Sequence, residues 1–429
     1  MNISPEHPLF FCSPTRLIVQ AGGLQRIAPF CKQRGWKTAV IVTDRFFSEQ
    51  TSWIQSLKQA LEESGLRAVL CDLGAANPTT VLCDQASQSV LSELGDTPAD
   101  GLIALGGGSN IDLAKGLSLT LAHRRPISDF IGHTNWPGRP LPLIAMPTTS
   151  GTGSEVTAGA IFIQPGSATK VAVMGNDLRP LMSVVDPELT LSCPPRVTAD
   201  AGMDAITHAI ESWITMNAKD FGAVNELDPA YSGRNPLTVM FARESVRIGF
   251  EHLLTAFREP NNLNARTGMC YCSLYAALSY ASSGLHAVHG LAYALAGITD
   301  ETHGRTNAVF LPYVMDHLAT VRTAELAEIG KIAGSRKPDP IGQARDAAAL
   351  TRDLIAELGM PTDLKGFGIR EHQLDQIIRD GLNVSRLAKA FPIQPPNAAY
   401  AEIVRNAYHG TLSVPRQFGG ADPRTASQQ

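Results

Sequence analysis

The sequence predicts an α/β domain with a mostly parallel sheet over residues 1–190, an all-α domain over 191–412, and a flexible tail over 413–429. Three observations predict it. Short β-rich runs alternate with helical patterns through the first 190 residues, which is the mark of βαβ units. Three prolines then interrupt the chain between Pro187 and Pro195, a natural boundary. Beyond it, Ala-rich helical patterns continue to about Tyr408 with few strand signals. A chain of 429 residues that is 44% apolar has material for two or three such cores.

Taken in order, Thr38 to Thr43 (TAVIVT) is a continuous β-branched and apolar run and reads as a buried strand. Phe47 to Ser64 has helical periodicity, Ala68 to Leu73 is strand-like, and Thr79 to Leu94 is again helical. Gly101 to Leu105 is a strand that runs into Gly106, Gly107, Gly108 and Ser109, followed by a helix from about Ile111 to Leu121. Pro142 to Met146 and Ser183 to Val185 read as further strands. In the second half, Met216 to Pro236 is loop-like and longer than the usual helix connection, so it reads as a lid or an insertion. From Ser413 onward Pro, Gly, Ser and Gln predict fraying.

Composition narrows the partners. The chain is 18% charged, where about 25% is usual for soluble domains. The deficit concentrates between Arg266 and Asp300, where Thr267 to Thr299 contains no Asp, Glu, Lys or Arg. Its serines, glycines and His286 and His289 leave no purely apolar membrane-length window, so it reads as buried core and not as a membrane span. The net charge of −4 offers no electrostatic footprint for nucleic acid or an anionic membrane. A small molecule is the expected partner. Seven scattered cysteines without a C-x-x-C point to a reducing compartment, and Met1 to Phe11 lacks the basic start and apolar core of a signal peptide. The expected location is cytoplasmic.

Two clusters carry phosphate-binding chemistry. The turn Gly106, Gly107, Gly108, Ser109 between a strand and a helix leaves backbone N–H groups free at a helix N-terminus, where a diphosphate can sit. Ser109 is placed to cap that helix, and a plain tight turn is the alternative reading. Pro147 to Glu155 (PTTSGTGSE) follows another strand and can wrap the same dinucleotide or be an ordinary polar loop. Asp44 ends the first predicted strand, where an acid can accept from a ribose and repel a 2′-phosphate, or cap the next helix.

A third cluster carries metal chemistry. Asp204 and His208 are four apart in a helical pattern and leave one face of it together. His289 and His303 lie in the charge-free run and just past its end. One carboxylate and three imidazoles suit a divalent first-row metal with a position left for a substrate oxygen. Hydrogen-bonded core histidines are the alternative, and His286 competes with His289 as a ligand.

In order along the chain, GGGSNIDLAKG, PTTSGTGSEVT, GMDAITHAIESW, VHGLAYALAG and THGRTNAVFLPYV resemble the iron-containing, or group III, alcohol dehydrogenase family, over roughly residues 12 to 410. The resemblance implies a Rossmann-like nucleotide domain joined to a helical metal domain, the architecture shared with dehydroquinate synthases. It implies metal ligands at Asp204, His208, His289 and His303, holding Fe(II), with Zn(II) as the alternative. It places the diphosphate loop at Gly106, Gly107, Gly108 and Ser109, with Asp112 and Lys115 after it, although these two also read as a surface pair. Further cofactor positions fall on Thr148, Thr149, Thr152, Asp44, Asn77 and Lys170. The cofactor is NAD or NADP, with NAD favoured by Asp44, and the assembly a homodimer or larger.

Two features depart from the common pattern. Tyr293 stands where many members carry a histidine, and His286 stands where glycine is more frequent. With the PAYSGRNP insertion they resemble the hydroxyacid-oxoacid transhydrogenase branch. Tyr293 and His286 are therefore the candidates for passing the substrate proton. Arg305, two residues past His303, is the candidate for an anionic substrate carrying a carboxylate, phosphonate or sulfonate. The expected activity is hydride transfer between nicotinamide and a small alcohol or aldehyde. The alternatives are a transhydrogenase with retained cofactor and, with motifs that fit less well, a dehydroquinate synthase-like lyase.

Overall fold

Successive residues of a strand face opposite sides, and here both sides are apolar. Val40 and Val42 of β2 (Thr38–Val42), Leu102 and Ala104 of β4 (Gly101–Gly106) and Ala145 of β5 (Leu143–Pro147) bury in one layer. Their neighbours Ala39, Ile41, Ile103, Leu105, Ile144 and Met146 bury in the other. Each such Leu, Ile or Val contributes about 1.5–3 kcal/mol when fully buried. The sheet therefore has helices over both faces.

The computed structural model describes residues 9–14, 16–132, 136, 138–164, 170–222 and 226–413. The tail expected over 413–429 lies outside these beyond Ser413, as do the first eight residues. Six parallel strands form the sheet in the order β1-β8-β5-β4-β2-β3, with β1 at Leu17–Val19, β3 at Arg67–Cys71 and β8 at Met182–Val185. An antiparallel hairpin, β6 (Gly159–Ile163) and β7 (Lys170–Met174), stands apart from it. Sequence reading did not anticipate β1, β6 or β7. The first has three residues, and the hairpin strands are partly exposed.

The helix expected from Phe47 to Ser64 is two helices, Arg45–Gln50 and Trp53–Glu63. Thr51 separates them in an extended conformation, its hydroxyl donating to the Phe47 carbonyl. The helix after the triple glycine spans Gly108–His123 and starts earlier than expected. Gly107 is its N-cap, with no side-chain cap bond, so Ser109 is not the cap.

Among the described residues, the strands end with β8 and helices follow from Pro195. The Pro195–Ile214 helix packs against the Pro236–Arg258 and Leu263–Ser283 helices in the largest apolar cluster. The charge-free run supplies Leu263–Ser283 from Thr267 onward and then the Ala287–Thr299 helix, and Gly284 at φ 90° breaks them apart. No helix of the described residues is long and apolar enough to cross a membrane.

The two parts meet at the carboxyl ends of the strands. Val156, just past the PTTSGTGSE loop, packs with Leu274, Ala277 and Leu278 of the helical part. Arg179 ties the seam, donating to the Val156 and Ala281 carbonyls. The Met216–Pro236 segment contains a one-turn helix, Ala218–Phe221, and Ser232 donates its N–H to Ser282.

Candidate active site

Parallel pairing puts the two glycine-rich clusters side by side. Gly106 at the end of β4 is in register with Pro147 at the end of β5, and the Thr148 N–H donates to the Gly106 carbonyl at 3.0 Å. Gly106 has φ +152° and abuts the Asn110 side chain. A Cβ on Gly108 would sit 2.5 Å from Thr152 Oγ1, so only glycine lets the helix start and the second loop approach this closely. Asn77 donates its N–H to Ser109 Oγ at 3.2 Å. Asp44 caps the Arg45–Gln50 helix through the Phe46 and Phe47 N–H groups, while its other oxygen accepts from Asn110 at 2.7 Å.

Asp112 and Lys115 are not a surface pair. The Lys115 ammonium is buried and donates to Ser154 Oγ, Thr157 Oγ1 and the Thr157 and Gly159 carbonyls. Burial pushes its pKa down to about 8. Asp112 accepts from Ser154 Oγ and the Ile161 N–H. Together they lock the second loop and the β6–β7 hairpin onto the Gly108–His123 helix.

On the Pro195–Ile214 helix, Asp204, His208 and Glu211 recur at i, i+4 and i+7 and share one buried face. His289 comes from the first turn of Ala287–Thr299, and His303 opens the His303–His317 helix. The Nε2 atoms of His208, His289 and His303 lie 3.7, 3.8 and 3.9 Å from Asp204 Oδ1. His208 Nδ1 faces the Gly151 carbonyl at 3.3 Å, and His289 Nδ1 meets the Glu211 carboxylate. Each Nδ1 must carry the proton there, which leaves the Nε2 lone pairs aimed at the Asp204 oxygen. Burial pushes His208 and His289 down to about 4 and His303 well down, so the rings are neutral near pH 7.

Asp204 Oδ1 and the Nε2 atoms of His208 and His289 thus crowd one spot as acceptors, with His303 Nε2 beside them, and the nearby donor is the Asn307 amide. Its Nδ2 lies 2.8 Å from Asp204 Oδ1 and 3.2 Å from the Nε2 atoms of His289 and His303. Two N–H groups cannot serve three acceptors and also neutralise a buried carboxylate. Asp204, His208 and His289 alone bring their donor atoms within 4.8 Å of one another. Such a donor set fits a divalent cation of the iron or zinc type, with neutral imidazole and one carboxylate.

Both clusters open on one cavity of about 1020 Å³, its open mouth included. Asn77, Gly108, Ser109, Asp112, Thr152 and Lys170 line one side, and Asp204, His208, His289, His303 and Tyr293 the other. The Tyr293 ring stacks on His303 at 5.1 Å between centroids. Gly106, Gly107, Thr148 and Thr149 form the turns behind this wall, and Lys115 stays beneath it.

Two expected residues do not reach the cavity. His286 is the N-cap of its helix, outside the regular turn, and its Nδ1 points to Glu211 at 3.1 Å. Arg305 is two residues past His303, which on a helix is the opposite side, and its Nε lies 3.5 Å from Asp200 and 3.9 Å from Glu301.

Sequence reading passed over four residues that the structure brings to the site. Glu211 accepts from the Val288 N–H at 2.7 Å and orients His289. Tyr280 stacks on His208 at 4.2 Å and donates to the Thr152 carbonyl at 2.6 Å, joining the two clusters. Arg386, and Tyr231 from the Met216–Pro236 segment, line the cavity. Only Glu211 had a signal, its i+7 spacing from Asp204.

Comparison with known proteins finds relatives that span most of the chain. The model of the family described as iron-containing alcohol dehydrogenase matches residues 14–187, and that of the Fe-containing alcohol dehydrogenase family C-terminal region matches residues 230–408. The chain is 30% identical over 403 residues to long-chain-alcohol dehydrogenase 1 of Geobacillus thermodenitrificans, covering 92% of this chain and 96% of that protein. It is 28% identical over 401 residues to the mitochondrial hydroxyacid-oxoacid transhydrogenase of Bos taurus, covering 87% of this chain and 84% of the other. Among solved structures, an alcohol dehydrogenase from Oenococcus oeni superposes with a TM-score of 0.84 at 26% identity, over 94% of this chain and all of that one.

Proposed function

The chain belongs to the iron-containing alcohol dehydrogenase family, and from that premise we propose that it is a metal-dependent oxidoreductase interconverting a small alcohol and its aldehyde with a nicotinamide cofactor, NAD favoured over NADP. One observation carries this reading: the four-donor cluster and the glycine-rich turn open on the same cavity. When bound, the cation supplies Lewis acidity toward the carbinol oxygen, and the nicotinamide supplies the hydride acceptor.

The chain's own residues set the geometry. The N–H groups at the start of the Gly108–His123 helix hold the diphosphate, and Gly108 keeps the approach open. Asp44, at the end of β2, accepts from ribose hydroxyls but would meet a 2′-phosphate with like charge. Asp204, His208, His289 and His303 hold the cation, and Glu211 and the Gly151 carbonyl fix two of those rings. Burial raises the Tyr293 phenol, so its hydroxyl keeps a proton at neutral pH and can exchange it with the substrate oxygen.

Turnover of an aldehyde panel by Fe(II)- or Zn(II)-loaded protein tests this. NADH should exceed NADPH in kcat/KM by at least about tenfold, the scale of one like-charge contact near a protein surface. Equal use of both would remove Asp44 from its role. Gel-filtered protein that moves hydride from a hydroxy acid to an oxo acid without free NADH would instead establish the transhydrogenase reading, which the 28% identical relative keeps open.

A further inference from the structure

We infer that Tyr280 is a positioning residue that couples the metal cluster to the dinucleotide turn, so that a divalent cation and a nucleotide diphosphate bind this chain cooperatively. The identity of the two ligands rests on the proposed oxidoreductase reading. The coupling itself rests on the packing between their sites.

The physical link is the loop after β5. Gly151 lies so close to the Pro195–Ile214 helix that a Cβ on it would stand 2.8 Å from the Ala201 carbonyl oxygen. Two residues on, a Cβ on Gly153 would overlap Ala277 of the Leu263–Ser283 helix. Between them, Thr152 packs onto Gly108 at the start of the Gly108–His123 helix. The loop is thus wedged between the helix that carries Asp204 and His208 and the helix whose first N–H groups offer themselves to a diphosphate. Contacts this close have no slack, so they transmit a displacement and do not absorb it.

Two polar contacts tie that loop to one imidazole and its neighbour. His208 Nδ1 faces the Gly151 carbonyl at 3.3 Å, and the Tyr280 hydroxyl donates to the next carbonyl, that of Thr152, at 2.6 Å. The Tyr280 ring lies on the His208 ring, 4.2 Å between centroids and 20° from parallel. Tyr280 therefore touches the metal cluster with its face and the nucleotide loop with its hydroxyl. Without a cation, the Asp204 oxygen and the imidazole nitrogens around it are acceptors short of donors, and they gain by moving apart. A shift of His208 carries Tyr280 and the Thr152 carbonyl with it and disturbs the packing over Gly108. With His208 held in the donor set, the nucleotide meets a loop already in place and binds more tightly. Coupling of this kind is reciprocal, so the nucleotide must tighten the cation by the same factor.

Calorimetry of ADP-ribose binding to the full chain, either chelator-treated or loaded with Zn(II), tests this. ADP-ribose carries the diphosphate but lacks the nicotinamide ring, so the coupling it reads does not come from the reacting end of the cofactor. In wild type Zn(II) should tighten ADP-ribose by about tenfold, within the usual range for coupled sites. Tyr280→Phe keeps the stacked ring and removes the donor, and there the factor should fall to about threefold or less, the remainder being screened attraction between cation and diphosphate. A merely structural role for Tyr280 would weaken the metal-free and Zn(II)-loaded forms alike and leave the factor at about ten. Zn(II) affinity, measured against a chelator, should rise by the wild-type factor when ADP-ribose saturates the protein, and by the smaller factor in Tyr280→Phe. A wild-type factor of one, or a factor unchanged in Tyr280→Phe, overturns the inference. Failure of wild type to bind Zn(II) or ADP-ribose at all sinks the oxidoreductase reading and the coupling together, whereas independent binding of both sinks the coupling alone.

Discussion

Replacing His289 by alanine is expected to remove both bound metal and turnover, with kcat falling at least about a thousandfold, roughly 4 kcal/mol of transition-state stabilisation. His289 supplies one of three nitrogens within 3.9 Å of Asp204 Oδ1. Its ring also stacks on His208 at 4.7 Å and takes up the Glu211 carboxylate. Removal therefore opens the donor set and leaves the buried Glu211 carboxyl short of a hydrogen-bond partner, which costs about 1–3 kcal/mol. His289→Asn, which keeps polar bulk, separates the two effects. Metal content by mass spectrometry should fall in both variants, while thermal stability should suffer more in His289→Ala. Retained metal with lost activity would move His289 out of the donor set.

Glu211→Gln should lower affinity for the cation by about 10–100-fold while the fold persists, the range seen when a ligand's outer partner is lost. Glu211 is fully buried and accepts from the Val288 N–H, from His289 Nδ1 and, at 3.1 Å, faces His286 Nδ1. Burial raises its pKa, and His286 first among its neighbours opposes the rise. Glutamine keeps the shape but offers one acceptor and a donor, so His289 loses the charge that fixes its tautomer. Competition against a chelator would measure the change. Unaltered affinity would reduce Glu211 to a space-filling role.

The middle of the sheet was legible because β2, β4, β5 and β8 are buried along their whole length and so appear as uninterrupted apolar runs, as Thr38–Val42 and Leu143–Pro147 do. The pairing of Asp204 with His208 was legible from helical spacing alone. Sequence nearness misled at two places. Arg305 is close to His303 along the chain but projects from the opposite side of the helix, onto Asp200. His286 was expected to compete with His289 as a ligand or to pass the proton, but the helix begins at Ala287 and His286 at φ −142° turns toward Glu211. Arg386 and Tyr231 had no local signal, because only tertiary contact brings the Ser385–Ala390 helix and the Met216–Pro236 segment to the cavity. The charge-free run from Thr267 to Thr299 is explained by burial, since it forms helices around His289 and against the Pro195–Ile214 helix.

The most direct measurement strips the protein with a chelator and follows NADH-dependent aldehyde reduction while Fe(II) or Zn(II) is titrated back. Activity should vanish on stripping and return in proportion to added metal, saturating near one ion per chain, with no recovery in His289→Ala. Full activity in the stripped protein would contradict the assignment of Asp204, His208, His289 and His303 as the centre of the reaction.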